Sequence, residues 1–168
     1  MTHSQRGAAL ITALLLLVVL TILGISVMQM SRVQEKMAGN TRDINVGFET
    51  AEGALRSAEA LIRVQPDRPN TCIDASCPFR STDLGDVANQ DSAWWDTNGQ
   101  EFADGIGSPM TGVAKNPRYV IEQIVVLPDV LDDTDPGASR TFYRVTARST
   151  GASGLSNTIV QSTFARKD

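Results

Sequence analysis

Few residues of this chain are of the types that carry out catalysis. The single histidine, His3, lies near the N-terminus, so neither a histidine-based zinc site nor a histidine-assisted nucleophile is expected in the rest of the chain. The sequence has no Ser/His/Asp arrangement, no glycine-rich phosphate loop and no closely spaced Cys/His cluster. We therefore expect a protein that is not an enzyme and has no resident cofactor or metal.

Cys72 and Cys77 are the two cysteines, and they lie five positions apart. In an oxidising compartment such a pair would form a disulfide that closes a small surface loop. A redox or metal-binding pair is the alternative, but it would need closer spacing and further ligands. The pattern favours the structural disulfide.

An acidic segment, 129–137, contains Asp132, Asp133 and Asp135. A calcium loop would supply six or more oxygens and end in a closing glutamate, which is absent here. We predict a solvated acidic loop, although the sequence alone leaves calcium binding open.

Adjacent tryptophans, Trp94 and Trp95, form the largest aromatic feature. They could be a platform for a ligand. In a small domain, however, such a pair more often places one ring in the core and leaves the other partly exposed. We expect the second arrangement.

Composition divides the chain near Pro66. The 168 residues include 15 Lys+Arg and 19 Asp+Glu, and this net charge of −4 argues against nucleic acid as a main partner. Residues 1–65 hold no proline and one aromatic, Phe48, whereas residues 66–168 hold all seven prolines and the other aromatics. The two parts are therefore expected to differ in structure.

The apolar run 7–31 has no charged residue. As a helix it would extend about 37 Å, more than the roughly 30 Å of a hydrocarbon layer. A removable secretory signal is the alternative, but its apolar region normally spans only about 7–15 residues. We predict a retained membrane helix. Its flanking charges do not favour a cytoplasmic N-terminus, whereas the cysteine pair favours an oxidising space for the C-terminal part.

Beyond this run, apolar residues recur at spacings of three and four, as on one face of a helix. We predict one helix over about 8–64, roughly 85 Å long, which ends before Pro66. The predicted apolar seam comprises Met30, Val33, Met37, Ile44, Phe48, Ala51, Leu55, Ala58 and Ile62.

Residues 66–117 are rich in Pro, Asp, Asn, Ser and Gly and predict ordered loops with short helical turns. Three later segments, 118–127, 141–149 and 157–166, are predicted strands. In the second, Tyr143, Val145 and Ala147 would share one face, opposite Arg144, Thr146 and Arg148. We predict an α+β head in which an antiparallel sheet of at least three strands packs on the C-terminal half of the helix.

The seven residues before the apolar run, Met-Thr-His-Ser-Gln-Arg-Gly, end in a basic residue and a glycine. They resemble the class III leader of type IV prepilins. The resemblance implies that a prepilin peptidase cuts between Gly7 and Ala8 on the cytoplasmic side and methylates the new amine of Ala8.

Two helix segments, 33–43 and 48–59, resemble the N-terminal helix of the PilX family of minor pilins, and segments 143–148 and 161–166 resemble its C-terminal part. The resemblance implies a type IV pilin-like fold and a role in priming pilus assembly at or near the tip. Implied partners are inner-membrane lipid before assembly, the prepilin peptidase, other minor pilins, the major pilin and a large tip adhesin. The implied location is the inner membrane, with a periplasmic head, and then the extracellular pilus.

Thr12 departs from the pattern of major pilins, which carry a glutamate at this fifth mature position. In those pilins the proposed partner of the carboxylate is the N-terminal amine of a neighbouring subunit. Thr12 can instead bond a carbonyl one turn back, as any tolerated membrane threonine would. A subunit without this glutamate cannot pair with the N-terminal amine of a subunit ahead of it. Such a subunit fits the end of a filament, where no subunit lies ahead.

The sequence thus predicts a leader (1–7), a membrane and polymerisation helix (8–30), an amphipathic continuation (31–65) and a globular head (66–168). Two alternatives stay open. One is the tip pseudopilin of a type II secretion system, and the other is an uncleaved, membrane-anchored periplasmic binding protein.

Overall fold

The structure, a computed structural model, describes residues 6–81, 84–102, 110–128 and 139–167. The chain divides into two compact units, Met1–Arg42 and Asp43–Asp168. The first helix, α1 (Arg6–Val64), contributes residues to both units.

The predicted long helix is confirmed as α1. No proline interrupts the α1 sequence, and the helix ends two residues before Pro66, whose ring disfavours a helical conformation of the preceding residue. In the first unit the described side chains of the helix, from residue 9 onward, are exposed within the chain. This part of α1 therefore gains no stability from burial against the rest of its own unit.

In the second unit, small residues form the buried face of α1. Gly47, Ala51, Ala54 and Ala58 are buried, as is the larger Ile62 near the end of the helix. Their spacing of three and four residues places them on one side of the helix. Because these side chains are short, the helix backbone can lie close to the strands that it covers.

The predicted apolar seam was placed partly on the wrong side of the helix. In the second unit, Ile44 and Phe48 are each 47% exposed. The members of the seam from Ala51 onward are buried or partly buried, and Ala54, which the prediction omitted, is fully buried. Phe48 follows the buried Gly47 by one residue, a rotation of about 100° around the helix axis. The predicted seam is therefore confirmed from Ala51 onward, whereas before that position it followed large side chains and missed the small, buried Gly47.

The described residues of the second unit form five strands: β1 (Phe79–Arg80), β2 (Gln100–Glu101), β3 (Arg118–Pro128), β4 (Ser139–Ser149) and β5 (Thr158–Lys167). They make one sheet with the order β1-β3-β4-β5, in which β2 pairs with part of β3.

The three predicted strands are confirmed as β3, β4 and β5, which pair antiparallel, with an irregularity in β3 between Gln123 and Val125. The prediction of an antiparallel sheet of at least three strands did not include β1, which pairs with β3 in parallel and makes the sheet mixed.

Both faces of the sheet are covered. The buried face of α1 packs on Tyr119 and Ile121 of β3 and on Tyr143, Val145 and Ala147 of β4. The predicted face of β4 is therefore confirmed.

On the other face, Val120 packs with Val87 of a 3-10 turn (Val87–Asn89) and with Trp95 of α2 (Ser92–Asn98). Burial on both faces explains why three successive residues of β3, Tyr119, Val120 and Ile121, are apolar.

Candidate functional site

The first unit presents a long apolar surface. Large apolar residues from Leu10 to Met37 are exposed, and the residues that the structure describes include one helix that is long and apolar enough, by length and composition, to cross a membrane. A contiguous apolar surface of this size marks contact with lipid or with other helices, because exposure to water would be costly. This surface is the first candidate site.

Hydroxyl groups within this apolar stretch are satisfied inside the helix. Thr12 Oγ1 donates to the carbonyl of Ala9 (3.0 Å), and Thr21 Oγ1 donates to that of Val18 (2.8 Å). Such bonds remove the need for water or for a partner's polar group. Thr12 thus sits in an apolar environment without the charge that a glutamate would bring.

The predicted cleavage site lies at the start of α1, which includes the backbone of Gly7 and Ala8. Cleavage between these two residues and methylation of Ala8 remain predictions.

The second candidate site is the contact that fastens α1 to the connection between β4 and β5. The backbone N–H of Ser153 donates to Asp43 Oδ1 (2.7 Å), and the Ser153 hydroxyl donates to Asp43 Oδ2 (2.8 Å). The pKa of Asp43 is lowered, first by the bond from the Ser153 backbone and then by those from the Ser156 and Ser153 hydroxyls. The carboxylate therefore holds the connection in its ionised form.

Gly151 allows this contact to be close. A Cβ atom built on it would lie 2.5 Å from the backbone oxygen of Asp43 and 2.6 Å from Asp43 Cγ. The Gly151 N–H also donates to Ser156 Oγ (2.9 Å). A side chain at this position would push the connection away from α1.

Further polar contacts continue along the helix. The Thr50 and Ser149 hydroxyl oxygens are 2.7 Å apart, and the Ser162 hydroxyl donates to Glu59 Oε1 (2.7 Å). At the end of α1, the Arg166 guanidinium donates to the carbonyls of Ile62 (3.1 Å) and Pro66 (3.2 Å), which satisfies acceptors that a helix end leaves free. The head therefore fixes the second part of α1 along its length.

Cys72 and Cys77 are joined by a disulfide, with their Cα atoms 6.0 Å apart. Cys72 also pairs with the sheet: its N–H donates to the carbonyl of Phe79 (2.9 Å), and its carbonyl accepts from Ser81 N–H (3.0 Å). Within the loop, the side-chain hydroxyl and the backbone N–H of Ser76 lower the pKa of Asp74. The bridge thus closes a small turn next to β1, as the spacing predicted.

The two tryptophans divide as expected. Trp95 is buried in the second core cluster, whereas Trp94 is partly exposed against it, with ring centroids 5.6 Å apart in an edge-to-face arrangement. Asp91 begins α2 by accepting a hydrogen bond from the N–H of Trp94 (2.8 Å). The pair is thus part of the core of the head.

One buried carboxylate, Glu122, was not singled out from the sequence. Its Oε1 accepts from the Leu84 N–H (2.8 Å), and its Oε2 lies 3.9 Å from Arg144 Nη1. It connects β3 to the segment that covers the second face. The available signal was its place directly after the apolar residues Tyr119, Val120 and Ile121.

The acidic segment 129–137, with Asp132, Asp133 and Asp135, lies outside the described residues. Within the described ranges, no three His, Cys, Asp or Glu side chains come together in a way that could hold a metal ion.

The contact between Asp43 and Ser153 also escaped sequence reasoning, because it joins residues 110 positions apart. The Gly-Ala-Ser-Gly connection that supplies it lies between two of the predicted strands. The available signal was the pair of glycines around a serine, which indicates a tight approach but does not identify the partner.

Comparison with known proteins agrees with these features. The family model described as PilX N-terminal matches residues 6–56, and the model described as Type IV pilus assembly protein PilX C-term matches residues 49–166. No curated protein and no solved structure matches the chain. The two matches together span both the long helix and the head, and the chain belongs to the PilX family of type IV pilus minor pilins.

Proposed function

We propose that this minor pilin helps to prime type IV pilus assembly and is incorporated at or near the pilus tip. The observation that carries the proposal is Thr12, whose hydroxyl bonds within its own helix. A subunit that lacks a carboxylate here has no charge to pair with the N-terminal amine of a subunit ahead of it. Such a subunit is best placed where nothing lies ahead.

PilX-family proteins are membrane-anchored, pilus-associated structural proteins that interact with other pilins during assembly. The exposed apolar stretch of α1 suits both states, because lipid and a bundle of like helices are similarly apolar. Transfer from membrane to filament would therefore depend on helix fit and on contacts between heads. The attachment of residues 43–64 of α1 to the sheet supports such contacts, because it stabilises the head that would make them.

The finer steps belong to the same proposal. The prepilin peptidase would remove residues 1–7 and methylate Ala8, and the head would face the periplasm. The protein would contact inner-membrane lipid first, and then companion minor pilins, the major pilin and a large tip adhesin. The coverage of residues 49–166 by the pilus-assembly model favours this role over a type II secretion pseudopilin.

The processing step is tested by the intact mass and N-terminal sequence of protein extracted from the membrane. We expect a chain that begins at Ala8 and carries one added methyl group. A chain that retains residues 1–7 in sheared pili would contradict the proposal and would favour an uncleaved, membrane-anchored binding protein.

The tip position is tested by Thr12→Glu, with Thr12→Val as the matched control. The glutamate restores a carboxylate, so we expect gold-labelled antibody to move from pilus ends to the sides of the filament. Valine has a similar shape without the hydroxyl and should leave the label at the ends. Side labelling of the unmodified protein would rule out the tip assignment.

A further inference from the structure

A cavity of about 480 Å³ lies between α2, the segment 110–117 and the connection from β4 to β5. This volume falls within the range of about 300–1,000 Å³ that is common for small-molecule sites. The side chains that line it include three cations, Lys115, Arg118 and Arg148, and one carboxylate, Asp96. The cavity is therefore positively charged on a chain whose net charge is −4.

Two of the three cations are already paired. Lys115 Nζ lies 3.1 Å from Asp96 Oδ2, and Arg118 Nε lies 3.5 Å from Asp96 Oδ1. Arg118 also reaches Glu101 Oε2 at 3.3 Å. Three positive charges thus meet two carboxylates.

The third cation, Arg148, is held by neutral acceptors. Its Nε donates to Asn157 Oδ1 (2.7 Å) and its Nη2 donates to Ser92 Oγ (2.8 Å). Over the described part of the chain, no carboxylate lies within ion-pair distance of Arg148. These two bonds orient the guanidinium and leave the Nη1 hydrogens and one Nη2 hydrogen available.

The side chains of Asn157 and Ser92, which neighbour Arg148, also have hydrogen-bond donors that are not used within the described residues. Asn157 accepts through its oxygen and Ser92 through its hydroxyl oxygen, and neither donates a side-chain hydrogen bond to the residues that the structure describes. The end of the cavity around Arg148 therefore offers amide, hydroxyl and guanidinium hydrogens together. A ligand that fits it must be rich in acceptors.

We propose that this cavity binds a compact hydroxylated carboxylate of the hexuronate class. The carboxylate would lie on the Nη1–Nη2 edge of Arg148, where two parallel charge-assisted bonds can form. Asn157 and Ser92 would donate to the remaining oxygens of the ligand. Leu155, which is 92% exposed at the rim, would cover the ring carbons. A small inorganic anion would leave most of the cavity volume unfilled. The volume therefore favours a larger ligand that carries further polar groups besides its carboxylate.

The experiment is an NMR titration of the full-length, isotope-labelled chain in a zwitterionic detergent, with galacturonate as the probe and galactose as its uncharged match. We expect saturable shifts of the Ser92 and Asn157 signals with galacturonate only. Arg148→Gln should weaken binding about tenfold or more, because a charge-assisted pair is lost. Arg56→Gln, which removes the same charge from an exposed site on α1, should leave the affinity unchanged.

Asp96→Asn provides a test of opposite sign, because it removes a negative charge from the cavity wall and leaves Lys115 and Arg118 less neutralised. We expect Asp96→Asn to bind galacturonate more tightly. If Arg148→Gln does not fold, this variant alone tests the proposed binding site. Weaker or unchanged binding by Asp96→Asn, equal responses to galactose and galacturonate, or equal effects of the two arginine variants would overturn the proposal. Tighter binding of a blocked Gly-Glu-Gly peptide than of galacturonate would overturn the ligand class in favour of a protein partner.

Discussion

The two stretches of α1 are both rich in apolar residues, but they differ in side-chain size and in what covers them. Up to Arg42 the apolar residues are mainly large, such as Leu16 and Ile25, and they are exposed within the chain. From Asp43 onward the buried positions are mainly alanine and glycine, packed on the sheet. Large side chains suit partners that change, such as lipid and other helices, whereas small ones suit a single partner at close range.

The comparison is tested most strongly by the same substitution in each stretch. Ile62 is fully buried and Ile25 is 57% exposed. Ile62→Ala should destabilise the head by about 4 kcal/mol, because it removes buried methyl groups and leaves a cavity. Ile25→Ala should leave the unfolding of the head unchanged. Denaturant unfolding followed by tryptophan fluorescence measures both, and equal effects would show that the two stretches are not distinct.

A smaller effect is expected where α1 meets the connection from β4 to β5. Gly151→Ala introduces a Cβ against the Asp43 backbone, so we expect a loss of about 3 kcal/mol from overpacking. Gly39→Ala in the first stretch meets nothing within 4 Å and should instead favour the helix by about 1 kcal/mol. Thermal unfolding and helix content by circular dichroism distinguish the two. If Gly151→Ala leaves the stability of the head unchanged, the close approach of the connection to α1 is not needed.

Removal of the disulfide should have a moderate effect that is confined to the second unit. The bridge closes a short loop, so the double variant Cys72→Ser/Cys77→Ser should lose about 2 kcal/mol. Reduction of the unmodified protein should give the same loss, while the reductant should not affect the double variant. A reductant effect on the double variant would assign the change to something other than the bridge.

The smallest effect concerns Asp43 and pH. Its lowered pKa means that its contribution to stability is present above the unfolded value of about 3.8 and is lost as pH falls through the folded pKa below it. The difference in Tm between the unmodified chain and Asp43→Asn should therefore be constant from about pH 7 to 5 and shrink below about pH 4. Asp67→Asn, at an exposed site, serves as the control. A difference that grows in acid would reverse the assigned sign.

The sequence predicted the elements that repeat locally. Rules that act over a few residues explain the helix period and the end of the helix before Pro66. They also explain the alternation of Tyr143, Val145 and Ala147 in β4. The sequence predicted the buried side of α1 from Ala51 onward but missed Gly47 and Ala54, because glycine and alanine carry little hydrophobic signal. It also missed the parallel pairing of the two-residue strand β1, which depends on a partner about forty positions later.

The candidate functional residues also fall into those that the sequence identified and those that it did not. The cysteine pair, the tryptophan pair and the distinctive Thr12 could be identified from residue type and spacing. The contact from Asp43 to Ser153 and the cluster around Arg148 could not, because their members come from distant segments that only the folded sheet brings together.

The capping of α1 by Arg166 has a consequence for the order in which the molecule is made. The two residues that meet at Ile62 are 104 positions apart. At a synthesis rate of about 5–20 residues per second, the helix end would wait roughly 5–20 s before β5, which caps it, exists. Until the earlier strands β3 and β4 have been made, the alanine face of the helix is open to any other chain that can lie close against it, so mispairing or binding of a chaperone would occur in this period.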